Sequence, residues 1–184
     1  QVRKELKDNP DNIDLQLELG RLFIDGGELD DATKQLKQVI SRDNQNGLAY
    51  KLLGTAYAMF NHEDEAVREL TRASEILPED PEVHLNLGGV FMLQDMYESA
   101  ARCFKKVVEI DPMDRLGYAN LAAAYDMDKK YDEEIQVLKK ILMFAPEDIE
   151  LRSALSTAYF NSENYEEALN HALCVIELDE KDPQ

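Results

Sequence analysis

The stretch HLNLGGVFMLQDMYESAARCF, residues 84–104, decides how this chain folds. Gly88 and Gly89 sit inside an otherwise helical pattern, and Ala100 and Ala101 follow twelve residues later. Glycine costs about 1 kcal/mol against alanine in a helix interior, so something must offset it. The pattern also recurs. Gly20, Gly54 and Gly88 are evenly spaced by 34 residues, and the next two steps fall on Ala122 and Ser156, both small. Leucine precedes each of the five: Leu19, Leu53, Leu87, Leu121 and Leu155. Three residues after each comes an aromatic: Phe23, Tyr57, Phe91, Tyr125 and Tyr159. Twelve after each come Ala32, Ala66, Ala100, Glu134 and Ala168, and Pro78, Pro112 and Pro146 close their segments.

A period of this length marks a repeat architecture. The quoted positions resemble the tetratricopeptide repeat, with its leucine–glycine pair, aromatic, alanine and closing proline. Five full repeats are expected at 13–46, 47–80, 81–114, 115–148 and 149–182, with 1–12 the tail of a preceding sixth. The resemblance spans essentially the whole chain. Some positions depart from the pattern. Gln16, Tyr50, His84, Tyr118 and Arg152 stand where the family has tryptophan. Glu134 replaces a small residue, Ala172 a large one, and Glu180 the closing proline.

Each segment reads as helix, short polar turn, helix. In GLAYKLLGTAYAMF, residues 47–60, apolar residues recur at the three- and four-residue spacing of one helix face. Gly27, Asn61 and Asp95 hold equivalent turn positions and suit the left-handed conformation that ends a helix. The small residues Gly20, Gly54, Gly88, Ala32, Ala66, Ala100 and Ala168 are expected where the two helices cross. Close approach of the backbones then offsets the helical cost of glycine, and a larger side chain would overpack the crossing.

The resemblance implies an all-α fold: a right-handed superhelical solenoid of stacked antiparallel helix pairs, one continuous domain whose first helices line a concave groove. It also implies which residues face that groove. The sixth position of each segment holds Glu18, Leu52, Asn86, Asn120 and Ala154. Asn86 and Asn120 resemble the asparagine ladder of peptide-binding members, since an asparagine amide both donates and accepts. The alternative is a solvated polar residue on a helix face. Lys51, Met59, Met92, Leu93, Met127 and Phe160 complete the expected peptide-binding set. Methionine adapts its shape and is frequent at binding surfaces, although Leu85 and Leu116 also fit an inter-repeat core. A carboxylate clamp for chaperone tails is incomplete: Lys51, Asn86 and Asn120 match it, but Thr55 and Leu116 stand where asparagine and lysine are wanted.

The net charge of −18 disfavours nucleic acid and anionic membrane surfaces, which are bound through lysine and arginine. Residues 132–184 alone carry 13 acidic and 4 basic side chains. Acids opening the second helices stabilise them through the helix dipole; a basic partner docking there is the competing explanation. The longest apolar runs are about five residues, such as ILMFA at 141–145, far short of the roughly 20 of a membrane span. Cys103 and Cys174 form neither a disulfide framework nor a metal motif, which leans toward a reducing, cytoplasmic setting. His62, His84 and His171 have no metal-ligand partners at helical spacing. Neither a catalytic constellation nor a phosphate-binding glycine loop is present, so no cofactor is expected.

The expected function is a non-catalytic interaction scaffold holding a peptide or helix of a partner protein in the groove. Two alternatives remain. One is a self-assembling scaffold, as among organelle-associated bacterial members of the family, joined through apolar repeat ends. Leu169, Leu173 and Ile176 supply such a face unless a capping segment covers it. The other is a substrate-recruiting segment of a larger enzyme, since the missing initial methionine and the in-phase 1–12 segment imply removed sequence.

Overall fold

The structure, a computed structural model, describes residues 2–181. Gln1 and Asp182, at the outer edges of the expected 1–12 and 149–182 segments, lie outside the described residues. The described residues hold eleven α-helices and no strand. The first is α1 (Val2–Asp8). Five helices then start in phase: α2 (Ile13–Asp25), α4 (Gly47–Met59), α6 (Pro81–Leu93), α8 (Arg115–Met127) and α10 (Ile149–Asn161). Their companions are α3 (Leu29–Arg42), α5 (Glu63–Ile76), α7 (Tyr97–Ile110), α9 (Tyr131–Phe144) and α11 (Tyr165–Lys181). The fold is the all-α helix-pair architecture of a tetratricopeptide solenoid. It divides into two compact units, Gln1–Asp95 and Met96–Gln184, the division falling inside the third expected segment.

The start of each of these five first helices is set by an asparagine or an aspartate. Asn12, Asn46, Asp80, Asp114 and Asp148 each cap their helix, the side-chain oxygen accepting an amide two or three residues on at 2.9–3.1 Å. Such a cap satisfies an amide that the helix leaves unpaired, a contribution of about 1 kcal/mol. The second helices α3, α5, α7 and α9 lack a side-chain cap. They carry acids in the first turn instead, Glu63, Asp64 and Glu65 being the densest example beside Asp132–Glu134. Those acids complement the positive end of the helix dipole.

The turn within each pair is equally periodic. Gly27, Asn61, Asp95, Lys129 and Glu163 have φ of 74°, 59°, 57°, 58° and 63°. At four of the five turns the amide of the next residue donates to the carbonyl of the conserved-phase aromatic: Glu28 to Phe23, His62 to Tyr57, Lys130 to Tyr125 and Asn164 to Tyr159, at 2.8–2.9 Å. This closes the helix with a left-handed residue followed by a long back-bond. Lysine and glutamate suit that conformation poorly, because their Cβ crowds the carbonyl at a cost of about 1–2 kcal/mol. Lys129→Gly is therefore expected to raise stability by about 0.5–1 kcal/mol after glycine's larger unfolded-state entropy is subtracted. Chemical denaturation would show it as a higher midpoint at unchanged slope; no gain would mean that the turn tolerates lysine without strain.

In the first unit consecutive helices pack on one another, and α2 also touches α4, as α4 touches α6. Leu36, Leu53, Leu70, Val83 and Val90 are buried between these layers. The structure shows which side chain sits against Gly20 and which against Gly54. Ala32 and Ala66 are fully buried, but the residue seated on each glycine is a leucine four positions further on. A Cβ at Gly20 would lie 2.8 Å from Leu36 Cδ2, and one at Gly54 would lie 2.6 Å from Leu70 Cγ. The alanine lets the second helix come close, and the leucine then fills the space above the glycine. Gly88 and Ala100, also buried, fall on either side of the division between the units.

In the second unit α7 packs on α8, α8 on α9, α9 on α10 and α10 on α11. Phe104, Val107, Leu138, Ile141 and Leu155 form its interior. Three of the five positions that lack tryptophan have a shared task. Gln16 Nε2 donates to the Pro10 carbonyl at 2.6 Å, and Arg152 Nε to the Pro146 carbonyl at 3.0 Å. His84 Nε2 lies 2.9 Å from the Pro78 carbonyl, which requires the Nε2–H tautomer. Each satisfies the acceptor at the end of the preceding helix pair.

Candidate interaction surface

The first unit carries two connected depressions along its first helices. One is lined by Leu48, Leu52 and Met59 of α4, by Asp14, Glu18 and Asp25 of α2 and by Glu82 of α6. The second lies between α4 and α6 and is lined by Met59, Leu85, Asn86 and Leu93. Thr55 and Met59 border both, so the two are continuous. Met59 is 60% exposed and Leu93 61%. Met92, one residue earlier on α6, is half-buried.

Lys51 projects from α4 toward the start of α6. Its Nζ donates to Asp80 Oδ2 at 2.9 Å and to Glu82 Oε2 at 2.7 Å. Burial alone would lower the lysine pKa, but the hydrogen bonds to Glu82 and Asp80 outweigh it and raise it. Asp80 likewise titrates below its ordinary value, since the Lys51 partnership overcomes desolvation. The depressed Asp80 loses its contribution only as pH falls through its folded pKa, and the raised Lys51 only as pH rises through its own. The link is therefore intact across the neutral range. Its consequence is that Lys51, an expected groove residue, already has two carboxylate partners within the protein. Asn86 is also engaged: its Nδ2 donates to Thr55 Oγ1 at 3.0 Å, and that hydroxyl donates to the Lys51 carbonyl at 2.9 Å. Its second amide hydrogen and its oxygen have no partner among the described residues.

In the second unit Asn120 is half-buried on α8, while Leu116 and Met127 of the same helix are 59% and 51% exposed. Leu116 thus lies at the surface, not in the inter-repeat core that its apolar character allowed. Phe160 of α10 is also exposed and meets Tyr165 edge to face, ring centroids 5.5 Å apart. Asn86 and Asn120 belong to different units. Met59, Leu93 and Met127 share one feature: each is the last residue of its first helix, and each is exposed. These three and Glu18 stand at groove positions expected from the sequence; the part of Asp80 as a partner of Lys51 is not among those expectations. The signal available for Asp80 was its place in the asparagine/aspartate series that starts each first helix.

Other reactive side chains are occupied structurally. Burial pushes the Cys103 thiol up to about 11, the opposite of an activated nucleophile. The His171 ring stacks on Tyr159 at 5.6 Å, and desolvation lowers its pKa. Among the described residues no group of three or more histidine, cysteine or acidic side chains is placed to hold a metal ion. None of their helices is long and apolar enough to cross a membrane.

Models of the tetratricopeptide repeat match residues 1–73 and 61–125. The chain belongs to the tetratricopeptide-repeat family. Its role is accordingly that of an interaction or scaffold protein with protein partners. Among solved structures it is similar to a MamA protein at 20% identity and a TM-score of 0.79, over 92% of both chains. It is similar to MamA 41-end from Desulfovibrio magneticus RS-1 at 21% identity and TM-score 0.75, over 95% of this chain and 98% of that one. A third, MamA MSR-1, shares 26% identity at TM-score 0.73, over 92% and 97%. The comparison with curated proteins finds no significant match.

Proposed function

We propose that the chain is a non-catalytic interaction module that holds a peptide or helix of a partner protein along its first helices. The observation that carries this reading is the pair Met59 and Leu93 of the first unit: large apolar side chains, exposed, at the last position of successive first helices. Scattered surface apolar residues need no explanation, but in the first unit Met59 and Leu93 border the continuous depressions beside Asn86. Buried apolar contact would supply most of the affinity. The asparagines would supply backbone hydrogen bonds that do not read the ligand's side chains.

The test is recovery of partners on the wild-type chain beside two variants, Asn86→Ala/Asn120→Ala and Met59→Ser/Leu93→Ser/Met127→Ser. All three should first show equal helicity and melting. A partner held by the wild type and lost by both variants supports groove binding. A partner retained equally by all three overturns it.

A second reading has its own observation. Leu169, Leu173 and Ile176 of α11 share a helix face and are 59%, 49% and 54% exposed. Self-association through that face would give a mass that rises with concentration in sedimentation and reverts in Leu173→Lys.

A further inference from the structure

The depression of the first unit has a polarity that the sequence pattern did not predict. Asp14, Glu18 and Asp25 are exposed on α2 at steps of four and seven residues, which puts them on one side of the helix. They line the depression together with the apolar Leu48, Leu52 and Met59. None of the three carboxylates has an ion-pair partner among the described residues. Glu82, also in the lining, shares Lys51 with Asp80, so two acids meet that single cation. Arg21, within the α2 stripe, is the remaining basic side chain lining the depression. Three unpaired carboxylates against one guanidinium, and two against one ammonium, leave a lining that is net anionic beside its apolar residues.

Building on the groove reading above, we infer that the first unit receives a basic amphipathic segment of a partner protein. Its apolar side chains rest on Leu48, Leu52 and Met59, and its lysines or arginines face Asp14, Glu18 and Asp25. The polarity is the reverse of a carboxylate clamp: Lys51 is consumed within the protein, and the unspent charge is negative. Like-charge juxtaposition would exclude acidic segments, and complementary charge would raise the encounter rate. The acidic stripe is about 16 Å long at the helical rise per residue. It thus matches a helical segment of roughly eleven residues or an extended one of about five.

The experiment uses the full chain and two synthetic peptides of roughly 14 residues. They carry the same leucine face, one with lysines and one with glutamates on the polar face. Binding is followed by fluorescence anisotropy at low salt and again near 0.5 M. The lysine peptide is expected to bind at least about tenfold more tightly than the glutamate peptide and to weaken in salt. Glu18→Lys/Asp25→Lys is expected to weaken the lysine peptide by about tenfold, and Met59→Ser to weaken it too. Glu109→Lys/Glu177→Lys in the second unit makes the same charge change and should leave binding unaltered. Equal losses in the two charge-reversed variants would mean general attraction to a polyanion and would overturn the inference. So would equal or tighter binding of the glutamate peptide. If that binding were itself lost in Met59→Ser, groove binding would stand while its charge preference fell. Binding of neither peptide would also overturn the proposal.

Discussion

Gly54→Leu is expected to lower the stability of the chain by about 3 kcal/mol, at the top of the usual range for overpacking. The reason is geometric. Even the first side-chain carbon at this position would lie 2.6 Å from Leu70 Cγ and 3.0 Å from the Leu70 backbone nitrogen. Leu70 is fully buried and cannot swing aside without displacing its neighbours. The backbone nitrogen cannot move without moving α5. Gly54→Ala is the informative milder variant: it gains about 1 kcal/mol of helix propensity yet should still destabilise, because the clash begins at Cβ. Gly89 is the internal control. It lies on α6, and a Cβ there meets nothing within 4 Å. Gly89→Ala should raise the thermal midpoint while Gly54→Ala lowers it. Midpoints moving together in both variants would show that close helix approach is not what the repeating glycine provides.

The second large effect concerns Glu134, the acid that stands where Ala32, Ala66, Ala100 and Ala168 stand in the other pairs. It is 7% exposed, and its Oε2 has no hydrogen-bond partner among the described residues. Desolvation first, and the nearby Asp126 second, push its pKa from 4.5 up to about 7. The folded state thus binds the proton more tightly than the unfolded state. Below about pH 4.5 both states are protonated and there is no penalty. As pH rises toward 7 the unfolded chain releases the proton and the folded chain does not, so stability falls; above about 7 the penalty is constant. A shift of this size is worth at most about 3 kcal/mol, and solvent reaching the carboxyl reduces that to roughly 1–2 kcal/mol. Glu134→Ala should therefore be more stable than the wild type at pH 8 by about that amount. The advantage should shrink to nothing near pH 4. The readout is the difference between the two unfolding free energies across pH, which cancels the common titration of the other acids. A difference that does not change between pH 4 and 8 would show that the carboxyl is ionised at no unusual cost.

The family resemblance and the helix pairs were legible because their causes are local and periodic. Glycine, aromatic, alanine and proline recur in phase, and each answers to a backbone requirement that sequence displays directly. The left-handed turns at Gly27, Asn61 and Asp95 were legible for the same reason. Those at Lys129 and Glu163 follow only from the phase, since neither residue type asks for that conformation. The caps at Asn12, Asn46, Asp80, Asp114 and Asp148 were equally periodic and could have been read by the same logic.

What the sequence by itself determined is therefore the all-α repeat, where its first helices start, and which positions carry large apolar side chains toward a surface. Tertiary structure decided the rest. It seated Leu36 on Gly20 and Leu70 on Gly54. It paired Lys51 with Asp80 and Glu82, and it buried Glu134 with no hydrogen-bond partner for its Oε2 among the described residues. The physical reason is common to all three. A helix period fixes which side of a helix a residue faces, but the partner across the interface is 16 to 31 residues away in sequence. Which atom meets which depends on how closely the backbones approach. That distance is set by packing, and no single segment of the chain contains it.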